Sequence, residues 1–177
     1  MANSNFTPFP ILNTERLTLR QLSLDDQQAI FDLRSDAAIN QYLDRAPCKT
    51  IEEAQQFIVK INDAIKNNNV LYWAISLNNT NTLAGTICLF DFSNEHHSCE
   101  IGYELMPLFQ GQGIMKEAAQ AVITFVFQTL QCKKIVACTH HDNQKSTQLL
   151  LQLNFVPSAA KDEENPDLCS YTLEKED

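Results

Sequence analysis

Hydrophobic residues change their period several times along the chain, and each change marks an element. In RLTLRQLS, Leu17, Leu19 and Leu22 alternate with polar residues at close to period two, which predicts a strand. Ser23 then stands where a cap is needed. LDDQQAIFDLR follows with Asp25 and Asp26 in its first turn, which predicts a helix. Thr50, with Glu53 three residues on, has the capping-box arrangement before IEEAQQFIVKINDAI. Ala54, Phe57, Ile58, Ile61 and Ile65 fall on one face of this second helix, and the run Asn67 to Asn69 ends it. VLYWAISL and TLAGTICLFDF read as strands rich in β-branched and aromatic residues, joined by the turn NNTNT.

SCEIGYELM reads as the next strand, closed by Pro107, and a strongly apolar helix runs from about Ile114 to Leu130. KKIVACTH is a further strand. DNQKSTQLLLQLNF opens on the capping residues Asp142 and Asn143 and reads as a helix. A short strand near Phe155, a polar loop SAAKDEENPD and a last strand LCSYTLE complete the chain. The order is β-α-α-β-β-β-α-β-α-β-β, which predicts an α/β fold with a mixed sheet of parallel and antiparallel pairs. No repeat, low-complexity block or linker divides it, so residues 1–177 are expected to form one domain.

Charge narrows the function classes. A net charge of −9 and an isoelectric point near 4.8 exclude a basic surface for nucleic-acid phosphates. They are compatible with a cationic substrate or a basic protein partner. No apolar run approaches the ~20 residues that span a bilayer. The opening MANSNFTPFP has neither a basic n-region nor an apolar h-region, so a soluble cytoplasmic protein with no membrane partner is expected. None of the six cysteines forms a C-x-x-C pair, and free thiols are expected; Cys88, Cys99 and Cys138 lie in strand-like runs as small hydrophobes. The histidines come as adjacent pairs, His96–His97 and His140–His141. Neighbours on an extended chain point oppositely, so neither pair is expected to chelate and no metal is predicted.

The chemistry concentrates in LFQGQGIMKEAAQ, Leu108 to Gln120. The chain has four glycines, and two of them stand here, one residue apart, at the mouth of the apolar helix. A helix N-terminus offers unpartnered N–H groups and partial positive charge, and glycines before it permit close backbone approach. Such a feature is either an anion site or a tight loop needing positive φ. A P-loop requires Lys after the last glycine, where this chain has Ile114. A dinucleotide fingerprint requires a third glycine and an acid about twenty residues on, where Leu130, Gln131 and Cys132 stand. A cradle for the pyrophosphate of coenzyme A is a third candidate identity, and from the two glycines alone the plain tight loop stays open.

Gln110-Gly-Gln-Gly-Ile-Met115, followed by KEA, resembles the Q/R-x-x-G-x-A/G loop of the GNAT acetyltransferase superfamily, in the form used by its RimJ/RimL-type branch. Met115 departs from the usual small residue. LNTERLTLRQLSLDD is similar to that branch's opening and EIGYELMP to its fourth strand. NQKSTQLLLQLNF is similar to its N-x-x-S-x-x-L-L-x-x-L-G-F helix, with Asn154 in place of glycine. The resemblance implies a GNAT fold, a central sheet of about seven strands splayed between strands 4 and 5. It also implies acetyl transfer from acetyl-CoA to an amine, without a metal.

Site residues follow from the same resemblance. Gln110, Gly111, Gln112, Gly113, Ile114 and Met115 would hold the pyrophosphate. Tyr103, Glu104 and Leu105 would line the pantetheine arm, with an N–H near Leu105 polarising the thioester carbonyl. Asn143 would bond the pantetheine amide. Many relatives have a tyrosine seven residues after that asparagine; here Leu150 stands there, and Ser146 is the implied donor to sulfur. Glu100 is the implied base, with Glu104 sharing its side-chain direction. Trp73 is expected in the core or lining the acceptor pocket. The acceptor implied is a protein N-terminal α-amine of the ribosomal-protein type. A polyamine or aminoglycoside, or a non-catalytic acyl-CoA-binding module, are the alternatives. The protein is expected as a monomer or homodimer.

Overall fold

The alternation around Leu17 and Leu19 becomes a strand with both leucines fully buried, and the rest of the sheet is laid against it. The structure is a computed structural model describing residues 5–158 and 165–175. The strands are β1 (Leu12–Asn13), β2 (Leu17–Gln21), β3 (Leu71–Leu77), β4 (Leu83–Ser93), β5 (Ser98–Leu105), β6 (Lys134–His140), β7 (Val156–Pro157) and β8 (Leu168–Glu174). They form one eight-stranded sheet in the order β1-β2-β3-β4-β5-β6-β8-β7. The eighth strand is β1, whose Leu12 pairs with Leu19; two residues are too few to show a period, so the sequence did not reveal it.

All described neighbours in the sheet are antiparallel except β5 and β6. That parallel pairing covers Ser98↔Lys134, Cys99↔Ile135 and Glu100↔Val136, and beyond it the two strands part. These are the fourth and fifth strands of the sequence reading, so the splay lies where the resemblance implied. The helices are α1 (Gln27–Ser35), α2 (Ala37–Asn40), α3 (Ile51–Lys66), α4 (Ile114–Gln128) and α5 (Gln144–Gln152). Adjacent residues of β3 separate them into layers. Tyr72 meets Phe57 of α3 with ring centroids 5.6 Å apart, while Trp73 meets Phe125 of α4 at 5.9 Å. Successive strand residues point to opposite faces, so α3 and α4 lie on opposite sides of the sheet.

Register extends this division along the sheet. Trp73 pairs with Ile87 and Ile87 with Tyr103, so Tyr103 shares the α4 face. Gly102 and Glu104 share the α3 face, and so does Glu100. Trp73 is fully buried, donating from Nε1 to the Pro10 carbonyl at 2.7 Å, which makes it a core residue away from any acceptor pocket. Burial of side chains such as Leu17, Ile58 and Ile87 contributes about 1.5–3 kcal/mol each.

The start of α1 differs from expectation. Leu24–Asp26 form a 3-10 turn, and the α-helix begins only at Gln27. Asp26 is turned inward, where Arg20 of β2 grips both carboxylate oxygens at 2.8 Å. An acid that reads as a helix-dipole residue is therefore a buried tether between β2 and α1. The short α2 was not legible either; Asp36 caps it by accepting from the Ile39 amide at 2.9 Å.

Candidate active site

The glycine loop is fixed from below by the start of the chain. After a 3-10 turn at Pro107–Phe109, Gly111 and Gly113 both adopt φ of +75°, and Gly113 caps α4. Both glycines therefore need the left-handed region, and their bare backbone precedes an N-terminus whose first amides lack helical partners. Glu117, one turn inside α4, accepts from the Thr14 hydroxyl at 2.6 Å, the Arg16 amide at 2.9 Å and Arg16 Nε at 2.6 Å. Arg16 Nη1 also donates to the Gln112 carbonyl at 3.0 Å. Desolvation pushes the Glu117 carboxyl up, but the Thr14 and Arg16 bonds together outweigh it and leave it below the ordinary carboxylate range. Across the loop, Gln110 donates to the Leu105 carbonyl at 3.0 Å and accepts from Lys145 Nζ at 2.9 Å. The Arg16 charge is taken up by Glu117, whereas Lys145 meets only the neutral Gln110 amide and brings positive charge beside the loop, so a phosphate at the helix N-terminus would meet a favourable field.

Where β5 and β6 part, a cleft of about 500 Å³ opens. Its two sides carry different chemistry. On the α4 face stand Tyr103, Asn143 and Ser146. Asn143 Oδ1 accepts from the Ser146 amide at 3.2 Å, the cap that the sequence anticipated, and the Ser146 hydroxyl lies 2.8 Å from the Tyr103 phenol. On the α3 face stand Glu100, Cys138 and His140, facing Tyr42 and Asp44 from the segment after α2. Cys138 is exposed, unlike the small core hydrophobe expected, because register places it on the face that the cleft leaves open. Asp167 closes the far wall, and among the described lining residues there is no Lys or Arg.

The strand β5 distributes its expected site residues over both faces. Leu105 presents its carbonyl to Gln110. The Glu104 side chain turns away from Ser146 and pairs with Arg45 on the α3 face, where both side chains are largely buried. Arg45 Nη2 and Glu104 Oε2 have no hydrogen-bond partner among the described residues. Arg34 lies close by, its guanidinium 3.8 Å from the Phe57 ring centre; burial first, and the charge of Arg45 second, hold its pKa below the usual value. This ion pair anchors the segment Gln41–Asp44 that lines the cleft. Nothing in the local pattern around Arg45 advertised the contact, since its partner is 59 residues away in sequence (104 − 45).

The second histidine pair also departs from the sequence reading. His140 ends β6 and His141 begins the turn, so strand alternation no longer applies and the rings stack at 4.6 Å. His140 in turn lies 5.3 Å from the Tyr42 ring. His140, His141 and Asp167 bring donor atoms within 4.8 Å of one another at the mouth of the cleft. No described helix is long and apolar enough to cross a membrane.

Residues 16–156 match the family model of the acetyltransferase (GNAT) domain. The chain belongs to the GNAT acetyltransferase family. Its splayed sheet is therefore the fold of an acetyltransferase. An uncharacterized N-acetyltransferase, YoaA of Bacillus subtilis, is 33% identical over 147 residues, covering 83% of each chain. Two solved structures share the fold. RimL, a ribosomal L7/L12 alpha-N-protein acetyltransferase in complex with coenzyme A, superposes with a TM-score of 0.82 at 23% identity, covering 93% of this chain and 98% of RimL. Spermidine N-acetyltransferase from Vibrio cholerae, in complex with CoA and spermine, superposes with a TM-score of 0.78 at 23% identity, covering 91% and 96%.

Proposed function

We propose that this GNAT enzyme transfers the acetyl group of acetyl-CoA to a protein N-terminal α-amine, with donor and acceptor entering the cleft from opposite faces of the sheet. The observation that carries this reading is the division of the cleft. The carboxylate of Glu100 lies on one side of the splay and the Ser146 hydroxyl on the other. The glycine loop lies on the Ser146 side, with α4, and its first amides suit the CoA pyrophosphate. From that anchor the pantetheine arm runs along the unladdered part of β5, past Tyr103 and Leu105, towards Asn143.

The amine nitrogen attacks as a neutral base. An α-ammonium has a pKa of about 7.7–8.0, so the proton that Glu100 must accept, directly or through water, is weakly held. The attack forms the C–N bond and the C–S bond breaks. Ser146 then donates to the departing sulfur. The same wall supports a second acceptor class. Asp44, Glu100 and Asp167 are among the described residues lining the cleft, and such carboxylates also suit a polyamine.

Thiol release from acetyl-CoA, measured against a panel of peptides with free N-termini and a panel of polyamines, tests both readings. Turnover with peptides and an acetyl group on the N-terminal nitrogen is expected. Turnover confined to polyamines would replace the first acceptor by the second. No acceptor-dependent release with any amine, despite CoA binding, would remove the reading.

A further inference from the structure

Leu150 is 1% exposed and packed in the core, so α5 offers no phenol to the cleft. A phenol reaches the same place from another element. Tyr103 extends from β5 just past the last residue paired with β6, and its hydroxyl lies 2.8 Å from Ser146 Oγ. We infer that Tyr103 is a positioning residue for the leaving-group step: its O–H donates to Ser146 Oγ and so turns the serine's own proton towards the sulfur. This rests on the reading of Ser146 as the group that faces the thioester.

The direction of the bond follows from acidity. A phenol is a much stronger acid than an alkyl hydroxyl, so the shared contact is filled by the tyrosine proton. A serine hydroxyl has one proton and two lone pairs. With one lone pair occupied by Tyr103, the serine proton is left to find another acceptor, and the accepted bond polarises it. Burial, partly countered by the bond to Ser146, pushes the Tyr103 phenol up to about 12, so it remains a donor through the physiological range. The Ser146 amide is meanwhile held by Asn143, which fixes the first turn of α5.

The step balances without a further reagent. The amine electron pair forms the C–N bond, and the pair of the broken C–S bond passes to sulfur. The Ser146 proton moves to sulfur; the acceptor ammonium has already given one proton to Glu100 or water, and the second proton, lost from the nitrogen once the C–N bond has formed, returns through solvent to the Ser146 oxygen. Tyr103 keeps its own proton throughout. The sum is amine plus thioester to amide plus thiol.

Tyr103→Phe removes only the hydroxyl. It is expected to lower kcat roughly five- to twentyfold while the Kd for CoA and the melting temperature stay close to wild type. The distinguishing readout is the double variant Tyr103→Phe/Ser146→Ala. If Tyr103 acts through Ser146, the double variant is no slower than Ser146→Ala alone. A kcat for Tyr103→Phe within twofold of wild type overturns the inference. So does a double variant whose loss is the product of the two single losses. If Ser146→Ala is impaired and Tyr103→Phe is not, this inference falls and the acetyl-transfer reading stands. If Ser146→Ala has wild-type kcat, the roles of both hydroxyls fall. If the wild type releases no thiol with any amine, this inference and the proposed function fall together.

Discussion

Arg16 and Glu117, 101 residues apart in sequence, meet at 2.6 Å and join the first long strand to the first turn of α4. The same carboxylate takes the Thr14 hydroxyl and the Arg16 amide, and the same guanidinium takes the Gln112 carbonyl. The glycine loop is therefore held in shape by side chains that never face the cleft. Glu117→Ala frees Arg16 and Thr14 at once. It is expected to weaken CoA binding roughly tenfold while costing only about 1 kcal/mol of stability, because Arg16 is half exposed and well screened. CoA titration beside thermal melting checks this; an unchanged Kd would show that the loop keeps its form without the clamp.

The glycines separate fold from function. At Gly113 a Cβ would meet only Arg16 Nη2, at 3.5 Å, so Gly113→Ala is opposed by its φ of +75° alone, at about 1–2 kcal/mol. Gly113→Val adds bulk where a phosphate must approach, and CoA affinity should fall further than stability does. At Gly85 the added Cβ would stand 2.2 Å from the Glu104 carbonyl of the neighbouring strand. Gly85→Ala is therefore expected to destabilise by about 3 kcal/mol or more. Melting curves with and without CoA distinguish the two patterns; a Gly85→Ala protein with wild-type stability would contradict the strand spacing.

Sequence legibility followed the range of the interaction. Periodicity along Leu17–Gln21 and Ile51–Lys66, the caps at Thr50 and Asn143, and the paired glycines are all local signals, and each appears in the structure where the pattern placed it. The splay of β5 from β6 came from likeness to a family, since no residue in either strand states with whom it pairs. Arg45–Glu104, Arg16–Glu117 and Tyr103–Ser146 were hidden because each joins elements far apart in the chain. The misread histidines show a second limit. Alternation holds only within a strand, and β6 ends at His140.

Arg45 and Glu104 link the wall of the cleft on the α3 face, where the proposed function places the acceptor, to β5 through a largely buried ion pair. Arg45→Met would leave the Glu104 carboxylate buried without its partner, at a cost of about 3–5 kcal/mol. The segment Gln41–Asp44 would lose its anchor, and with it the position of Tyr42 against His140. Kinetics should show a higher KM for the acceptor and little change in KM for acetyl-CoA. Equal changes in both constants would argue that the ion pair supports the whole fold and not the acceptor wall.

Acid sensitivity should be traceable to Asp26. Its carboxylate is 8% exposed, gripped at both oxygens by Arg20 and bonded at 2.8 Å by the Ser23 amide. Desolvation raises its pKa, but the bonds from Arg20 and Ser23 outweigh that and hold it below the ordinary value. The folded value thus lies under the unfolded one, which is about 3.9. Its contribution to stability is fully present above that unfolded value and is lost as pH falls through the folded one. Asp26→Asn removes the charge at every pH. At pH 7 the variant should be less stable by about 2–4 kcal/mol, discounted from a fully buried pair because Arg20 is partly exposed. Below about pH 4 the wild type should lose stability faster than the variant, so the two curves converge. Chemical denaturation from pH 7 to pH 2.5 measures both. Parallel curves over that range would mean that Asp26 titrates alike in the folded and unfolded chain, and that the tether between β2 and α1 is not electrostatic.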